Sequence, residues 1–227
     1  MKPESLIPPC SKDDQRVIIH DSIWYVPERT KVPSDFIFPG WDHPDLFGNK
    51  LPVAIEYCSG NGAWIANKAL ENPDINWVAV EMKFARVRKI WSKIKNLGLK
   101  NLLLVCGEAN MATARYFPAT SVSQVYINFP DPWPKKRHAK HRLIQPAFAD
   151  QLSRILKERK SLTFVTDDVP YSEWLIEVMG NHGDFVSAYP DPYYLTEEPN
   201  YGTSYFDELW RSKGRSIRYH CFQKCKK

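Results

Sequence analysis

Apolar runs of strand length recur along the chain, at residues 53–57, 76–80, 102–106, 124–129 and 161–166. Short runs without strict alternation are typical of strands that are buried on both faces of a parallel sheet. Segments with helical spacing of apolar residues follow four of these runs, at residues 63–70, 84–97, 141–156 and 171–181. This alternation predicts an α/β fold with a mostly parallel sheet and helices on both faces.

Two more strands are predicted near the C-terminus, at residues 185–189 and 215–223. We expect only a turn and a loop between them, and strands connected in this way pair antiparallel. The predicted sheet therefore has seven strands, mostly parallel, with an antiparallel C-terminal strand. Residues 51–227 would form this domain, whereas residues 1–50 are proline-rich with little periodicity and predict an irregular extension or lid.

A glycine turn at residues 58–62, which contains Gly60 and Gly62, follows the first apolar run and precedes the first helix. Glycine at such a turn lets a ligand approach the backbone closely, and the helix start offers unpaired N–H groups. Glu81 ends the second run, where an acidic side chain is suited to accept hydrogen bonds from both hydroxyls of a ribose. The pattern favours a nucleoside-binding loop over a plain tight turn, although a nicotinamide dehydrogenase would use the same kind of turn.

Acidic residues lie at or just beyond the ends of four successive predicted strands, and they are Glu56, Glu81, Glu108 and Asp131. In open parallel sheets, ligands bind outside the carboxyl ends of the strands. Each of these acids alone is more often a helix cap or a surface group than a ligand contact. Together they predict one crevice that binds a ligand.

The segment 128–138 combines a single carboxylate, Asp131, with three prolines, a tryptophan and several basic side chains. Proline fixes φ and biases the preceding residue toward extended geometry, so Asp131 would be held on a stiff projecting turn. Trp133 offers a flat face on which a base could stack. The alternative is an Asp-Pro turn before a solvated basic helix. The basic side chains that would meet phosphates are Lys135, Lys136, Arg137, Lys140 and Arg142.

The composition, 43% hydrophobic and 25% charged residues in 227, is that of a globular domain and argues against global disorder. The formal net charge is +5, and two further basic clusters lie at residues 83–95 and 211–227. If these clusters converge on one side, the surface would suit RNA. No apolar run has the length of a membrane span and the first residues lack the apolar core of a signal peptide, so we expect a cytoplasmic protein without a membrane partner.

The five cysteines, at positions 10, 58, 106, 221 and 225, form no regular framework. Two of them end buried strands, which favours reduced thiols over disulfides. Cys221 and Cys225 lack a second pair of ligands at the spacing of a zinc site. We therefore predict no metal.

Two motifs carry a resemblance to a known family. The strand and glycine turn resemble those of Rossmann-like class I methyltransferases, which use S-adenosylmethionine. The segment Phe-Pro-Asp-Pro-Trp-Pro-Lys-Lys-Arg-His, at residues 129–138, is similar to the signature of bacterial tRNA (guanine-N7)-methyltransferases. The resemblance continues through residues 165–167 and 202–214, and so covers roughly residues 50–223 in family order.

The resemblance implies the fold, the reaction and the partner. The reaction is methyl transfer from S-adenosylmethionine, without a metal, to N7 of guanosine 46 in the variable loop of tRNA. The catalytic role falls on Asp131. The cofactor-binding positions are Glu56, Gly60, Gly62, Glu81, Glu108 and Asp131. The substrate-binding positions are Lys135, Asp167, Ser204, Tyr205, Phe206 and Asp207.

The chain departs from the family pattern at a few of these positions. The family usually has glycine at Cys58, aspartate or asparagine at Glu108, and threonine and glutamate at Ser204 and Asp207. Thr203 could instead supply the hydroxyl, which shifts that alignment by one residue. Two rival classes stay open: a small-molecule methyltransferase on the same fold, and an RNA-binding protein without catalysis. A monomer and a homodimer are both compatible with the sequence.

Overall fold

The computed structural model describes residues 1–9, 17–26 and 37–226, apart from the side chain of Lys136. The chain divides into two compact units, residues 1–118 and 119–227. Among the described residues, no helix is long and apolar enough to cross a membrane.

The first unit contains five strands in the order β1-β2-β5-β4-β3. The strands are β1 (Ile18–His20), β2 (Ile23–Tyr25), β3 (Val53–Tyr57), β4 (Asn76–Glu81) and β5 (Leu102–Cys106). β2, β5, β4 and β3 run parallel, and β1 pairs antiparallel with β2. The helices are α1 (Ala63–Glu71), α2 (Phe84–Leu97) and α3 (Ala109–Tyr116), with a 3-10 turn at Pro3–Ser5.

The second unit contains four strands in the order β6-β7-β9-β8. They are β6 (Val122–Asn128), β7 (Leu156–Thr166), β8 (Phe185–Ser187) and β9 (Arg218–Lys224). β6 and β7 are parallel, whereas β9 is antiparallel to both β7 and β8. The helices are α4 (Pro146–Ile155), α5 (Val169–Gly180) and α6 (Tyr205–Ser212), with a 3-10 helix at Lys136–His141.

The predicted α/β alternation is confirmed, because the seven predicted strands are present as β3 to β9. The antiparallel pairing of the last two strands is also confirmed. The expectation of only a turn and a loop between them is wrong, since α6 lies there. The reason is length: its apolar residues Tyr205, Phe206, Leu209 and Trp210 recur at helical spacing, but eight residues are too few for that spacing to be distinguished from a loop.

The description of residues 1–50 as irregular is wrong for β1 and β2. Ile23 and Trp24 are fully buried, and β2 pairs in parallel with β5. A strand of three residues has too little periodicity to be seen in a sequence, and its stability comes from its neighbour in the sheet. The boundary at residue 50 and the role of a lid stay predictions.

Helix α2 packs directly against the glycine turn that follows β3. Its buried face carries Val87, Ile90, Trp91 and Ile94. A Cβ added to Gly62 would lie 2.7 Å from the Ile90 side chain, so only glycine permits this close packing. The buried face of α2 therefore supports the glycine turn that the sequence predicts as a ligand-binding loop.

Candidate active site

The glycine turn of the first unit is a closed, hydrogen-bonded loop. The Ser59 hydroxyl donates to the Glu56 carbonyl at 2.9 Å, and the Gly62 N–H donates to the Ser59 carbonyl at 2.8 Å. Gly60 and Gly62 have φ of 57° and 72°, which lies in the left-handed region that favours glycine. Gly62 then starts α1 as its N-cap. The turn is thus held by the Ser59 hydroxyl and by a backbone bond within it.

Glu81 is the side chain that ties this turn to the sheet. It is 4% exposed, and its carboxylate accepts the Gly60 N–H at 3.0 Å and the Lys83 N–H at 2.8 Å. Arg86 lies 3.7 Å from the same oxygen that binds Gly60. An ionised carboxylate has about four acceptor sites, so Glu81 keeps capacity for two hydroxyl donors after these backbone bonds.

Glu56 and Glu108 flank Glu81 in the same unit. The register of the parallel strands places Glu56 beside Ala79, and Glu81 beside Cys106 at the end of β5. Glu56 is 2% exposed. The carboxylate of Glu108 accepts the N–H groups of Asn110 and Met111 at 2.9 Å and 2.7 Å, and so caps α3. Glu108 is therefore a helix cap, and its contact with a cofactor stays a prediction.

This set of acceptors fits S-adenosylmethionine. The ligand offers hydrogen-bond donors at its ribose hydroxyls, its adenine amine and its ammonium group, and its sulfonium is positive. The carboxylates of Glu81, Glu56 and Glu108 all act on Cys58 of the glycine turn, and they match those donors and that charge. The pyrophosphate of a nicotinamide dinucleotide would instead meet like charges, which costs several kcal/mol. The residues present thus favour the first cofactor over the second.

Cys58 opens the turn where the family usually has glycine. Its φ is 61°, and a side chain in this left-handed region is strained by about 1–2 kcal/mol. Burial, followed by the charges of Glu81 and Glu56, raises the pKa of the Cys58 thiol to about 12. The thiol is therefore protonated at neutral pH and is not a nucleophile.

In the second unit, Asp131 lies on an exposed loop between β6 and the 3-10 helix. Its Oδ1 accepts the Trp133 N–H at 3.2 Å, as in an Asx turn. Trp133 has φ of 45°, and its ring lies 5.1 Å from the His141 ring and 5.9 Å from the His138 ring. Asp131 is thus exposed on a turn bounded by prolines, and its role in catalysis stays a prediction.

The basic residues after this turn differ in exposure. Lys135, Arg137 and Lys140 are exposed, whereas Arg142 is 8% exposed. The Lys136 side chain lies outside what the structure describes. The accessible cations can contact a polyanion, but the buried Arg142 lies apart from them, so the expected phosphate contact does not suit it.

Asp167 follows β7 and forms an ion pair with Arg215. The Asp167 side chain is 10% exposed and that of Arg215 is 50% exposed. The Arg215 guanidinium lies over the Trp210 ring at 4.2 Å, and Lys213 lies over the same ring at 4.8 Å. Asp167 is thus held by a cation in the structure, and its contact with the substrate stays a prediction.

The segment predicted to bind substrate forms the start of α6. Ser204 caps the helix by accepting the Asp207 N–H at 3.2 Å. Asp207 is 3% exposed and accepts bonds from Arg211 Nε and from the Tyr219 hydroxyl, each at 2.7 Å. Burial and Asp207 raise the pKa of Tyr219 to about 12, so this hydroxyl stays a donor.

The two aromatic residues of this segment differ in exposure and in packing. Tyr205 is 55% exposed, while the Phe206 ring lies 6.2 Å from that of Phe129, in the Asp131 motif. Tyr201, which the sequence reasoning missed, donates its hydroxyl to Asn128 of the same motif at 2.7 Å. The α6 region thus packs on the base of the Asp131 loop, and the substrate contacts of Ser204 and Asp207 stay predictions.

The basic cluster at residues 211–227 is not a uniform cationic surface. Lys224 is 7% exposed and donates to the carbonyls of Ser153 and Leu156, at 2.6 Å and 2.8 Å. Arg218 lies over the Tyr194 ring at 4.5 Å. Buried or stacked cations of this kind serve the fold, so fewer of them remain for RNA than the sequence suggested.

Solved structures of similar fold are methyltransferases. The 16S rRNA methyltransferase KamB superposes with a TM-score of 0.60 at 17% identity, over 79% of this chain and 91% of that one. An S-adenosylmethionine-dependent methyltransferase from Aquifex aeolicus gives 0.54 at 12% identity, over 78% and 85%. At these identities the likeness shows the fold, which is the class I methyltransferase fold that the sequence predicted.

Sequence comparisons identify the family as well as the fold. A family described as putative methyltransferase matches residues 50–219. The tRNA (guanine-N(7)-)-methyltransferase of Chlamydia muridarum is 46% identical over 217 residues, which is 96% of this chain and 95% of that protein. The protein of the same name from Staphylococcus aureus (strain Newman) is 36% identical over 63% of this chain and 72% of its own length. The chain belongs to the family of bacterial tRNA (guanine-N7)-methyltransferases.

Proposed function

We propose that this protein transfers the methyl group of S-adenosylmethionine to N7 of guanosine 46 in the variable loop of tRNA, in the cytoplasm. The observation that carries the proposal is the 46% identity to a tRNA (guanine-N(7)-)-methyltransferase over nearly the full length of both chains. The exposed, proline-bounded turn that presents Asp131 supports the same reaction. The proposal holds for a monomer and for a homodimer.

The first unit would hold the methyl donor through its carboxylates. Glu81 accepts the ribose hydroxyls with the acceptor sites that Gly60 and Lys83 leave available. Glu56 and Glu108 supply further acceptors, and the absence of a side chain at Gly60 lets the cofactor approach the backbone. When bound, S-adenosylmethionine supplies an electrophilic methyl group on a positive sulfur.

The second unit would orient the guanine. N7 of guanine has an in-plane lone pair and no proton, so no base is needed to create the nucleophile. Positioning then dominates the rate, and an oriented encounter contributes up to about 7–11 kcal/mol. Asp131 would accept a hydrogen bond from an exocyclic or cofactor amine and would counter the positive charge that develops on the ring.

Recognition of the tRNA would rest on phosphates as well as on the base. Lys135 and Arg137 are exposed beside Asp131 and can contact the backbone of a folded RNA. Asp167 can accept hydrogen bonds from the edge of a guanine once the guanine replaces Arg215 as its partner. Tyr205, which is 55% exposed, offers a face for stacking a base.

The proposal is tested by incubating the purified protein with unmodified tRNA and methyl-labelled S-adenosylmethionine. The labelled RNA is then cleaved with borohydride and aniline, which break the chain at 7-methylguanosine. We expect one cleavage, at the variable-loop guanosine. Label without cleavage would mean that a different atom is methylated, and label on metabolites but not on tRNA would favour a small-molecule methyltransferase. Equilibrium dialysis without S-adenosylmethionine binding would favour an RNA-binding protein that lacks catalysis.

A further inference from the structure

Arg142 is a buried cation whose partners are backbone carbonyls. Its Nε donates to the Pro132 carbonyl at 2.9 Å, and its Nη1 donates to the Pro170 carbonyl at 3.3 Å. The guanidinium carbon lies 5.0 Å from the centre of the Tyr171 ring. The whole residue is 8% exposed. One side chain thus joins the loop after β6 to the first turn of α5.

The burial of this charge requires an explanation. Within the described residues, the arginines that form ion pairs are Arg86, Arg211 and Arg215. A charge taken out of water without an opposite charge is unfavourable unless dipoles and an aromatic face replace its hydration. The two carbonyls and the ring supply that replacement for Arg142. A leucine or methionine could fill the same space without this penalty, so packing alone does not account for an arginine.

One end of this link is rigid. Pro170 and Tyr171 belong to the first turn of α5, and Asp168 caps that helix by accepting the Tyr171 N–H at 2.8 Å. Tyr171 is fully buried, and its hydroxyl oxygen accepts the Ile144 N–H at 3.1 Å. The start of α5 is therefore a fixed support, and its first residue, Val169, lies two residues after Asp167.

The other end of the link is the loop that needs support. Pro132 directly follows Asp131, which is exposed. Within the described residues, the Asp131 carboxylate accepts one hydrogen bond, from the Trp133 N–H at 3.2 Å. No strand or helix holds residues 131–134. Trp133 also has a left-handed backbone, which relaxes unless neighbouring contacts hold it. The Arg142–Pro132 bond, at 2.9 Å, is a contact from a charged donor to the residue next to Asp131.

We propose that Arg142 is a positioning residue that fixes Asp131 relative to the start of α5, and thereby sets the spacing between the Asp131 and Asp167 loops. The inference rests on the proposed function, because it takes Asp131 as the group that orients guanine. Arg142 would not touch the substrate. Its effect would pass through the Pro132 carbonyl, and a misplacement of about 1 Å at a reacting centre lowers the rate by up to ~10²-fold.

The test is a double-mutant cycle on Arg142→Met and Asp131→Asn, measured as single-turnover methylation of tRNA. We expect Arg142→Met alone to reduce the rate by roughly 10- to 100-fold, with the KM for S-adenosylmethionine and the Kd for tRNA within about twofold of the wild type. In the Asp131→Asn background, the same change should have little further effect, since residues that act as one unit are not additive. Full additivity would overturn the proposal.

A conservative variant separates geometry from charge. Arg142→Lys keeps the charge, but a single ammonium cannot reproduce the planar fork that reaches both Pro132 and Pro170. We expect it to stay within a few-fold of Arg142→Met. Wild-type rates for Arg142→Lys would contradict the proposal. Arg154→Met, which removes a partly exposed arginine of α4, is the matched control and should keep wild-type rates.

Failure of this inference is distinguishable from failure of the proposed function. If the wild-type protein does not methylate N7 of guanine in tRNA, the proposed function is wrong and the positioning role of Arg142 is overturned with it. If the wild type is active and Arg142→Met keeps its rate, the function stands and the positioning role fails. A loss of S-adenosylmethionine binding or of cooperative unfolding in both Arg142 variants would assign Arg142 to the fold instead, and would also overturn the proposal.

Discussion

The glycine turn of the first unit and the Asp131 loop of the second unit are built in opposite ways. The turn is closed by backbone hydrogen bonds and by the buried Glu81, which is 4% exposed. The Asp131 loop is exposed and depends on proline geometry, on ring contacts of Trp133, and on the bond from Arg142. A small cofactor can be bound by a preformed pocket, whereas a folded RNA needs an accessible loop. Substitutions in the two regions should therefore fail in different steps.

The largest expected effect is on the chemical step, from Asp131→Asn. We expect the single-turnover rate to fall by about 10²-fold or more, because the variant loses the charge that opposes the cation developing on guanine. Binding of tRNA and of S-adenosylmethionine should persist. Asp150→Asn is the matched control, since the Asp150 side chain is 69% exposed and contacts His182. Near-wild-type turnover of Asp131→Asn would remove the catalytic assignment.

The next effect is on cofactor binding, from Glu81→Gln. Glutamine cannot accept at both ends of its side chain, so the bonds from Gly60 and Lys83 cannot both be kept alongside two ribose hydroxyls. Loss of charged hydrogen bonds worth about 1.5–3 kcal/mol should weaken S-adenosylmethionine roughly 10- to 100-fold in equilibrium dialysis. Glu71→Gln, a change at a side chain that is 64% exposed, should have no effect. If Glu81→Gln instead lowered only the rate at saturating cofactor, the assignment of cofactor binding to the glycine turn and of the chemical step to the Asp131 loop would be wrong.

A smaller effect concerns RNA binding, from Lys135→Ala. The exposed lysine beside Asp131 should contribute one phosphate contact, so the slope of log affinity against log salt should decrease by about 1. Lys100→Ala, another exposed lysine, serves as the control. An unchanged slope for Lys135→Ala would argue against a phosphate contact there.

The smallest effect should come from Cys58→Gly. Glycine relieves the strain at φ of 61°, but it also raises the entropy of the unfolded chain, so we expect a net gain below about 1 kcal/mol in the free energy of unfolding. Cys58→Ala keeps the strained Cβ and should be less stable than Cys58→Gly in urea denaturation. The reverse order would show that the thiol contributes packing that outweighs the backbone strain.

The glycine turn could be predicted from the sequence because its pattern is local. Elements that depend on tertiary contacts or are very short could not. Gly60, Gly62 and Glu81 could be located because the glycine turn and the strand end are local patterns. The short β2 could not, because it is stabilised by pairing with β5. Helix α6 was missed because its eight residues are too few for the helical spacing of its apolar side chains to stand out.

Charge was the least reliable guide to surface chemistry. Arg142 and Lys224 lie in basic stretches of the sequence, yet both are buried and bind backbone carbonyls. A cluster of basic residues in the sequence does not show which of its side chains lie in water and which are buried against backbone carbonyls. Asp207 shows the same for acids, because its carboxylate binds Arg211 and Tyr219 inside the protein.

The most direct measurement is borohydride-aniline mapping of tRNA after methylation, with a tRNA in which guanosine 46 is replaced by adenosine as the comparison. The account predicts a single cleavage at position 46 with wild-type protein, no cleavage in the substituted tRNA, and a strongly reduced signal with Asp131→Asn. Cleavage at another guanosine, or equal labelling of the substituted tRNA, would contradict it.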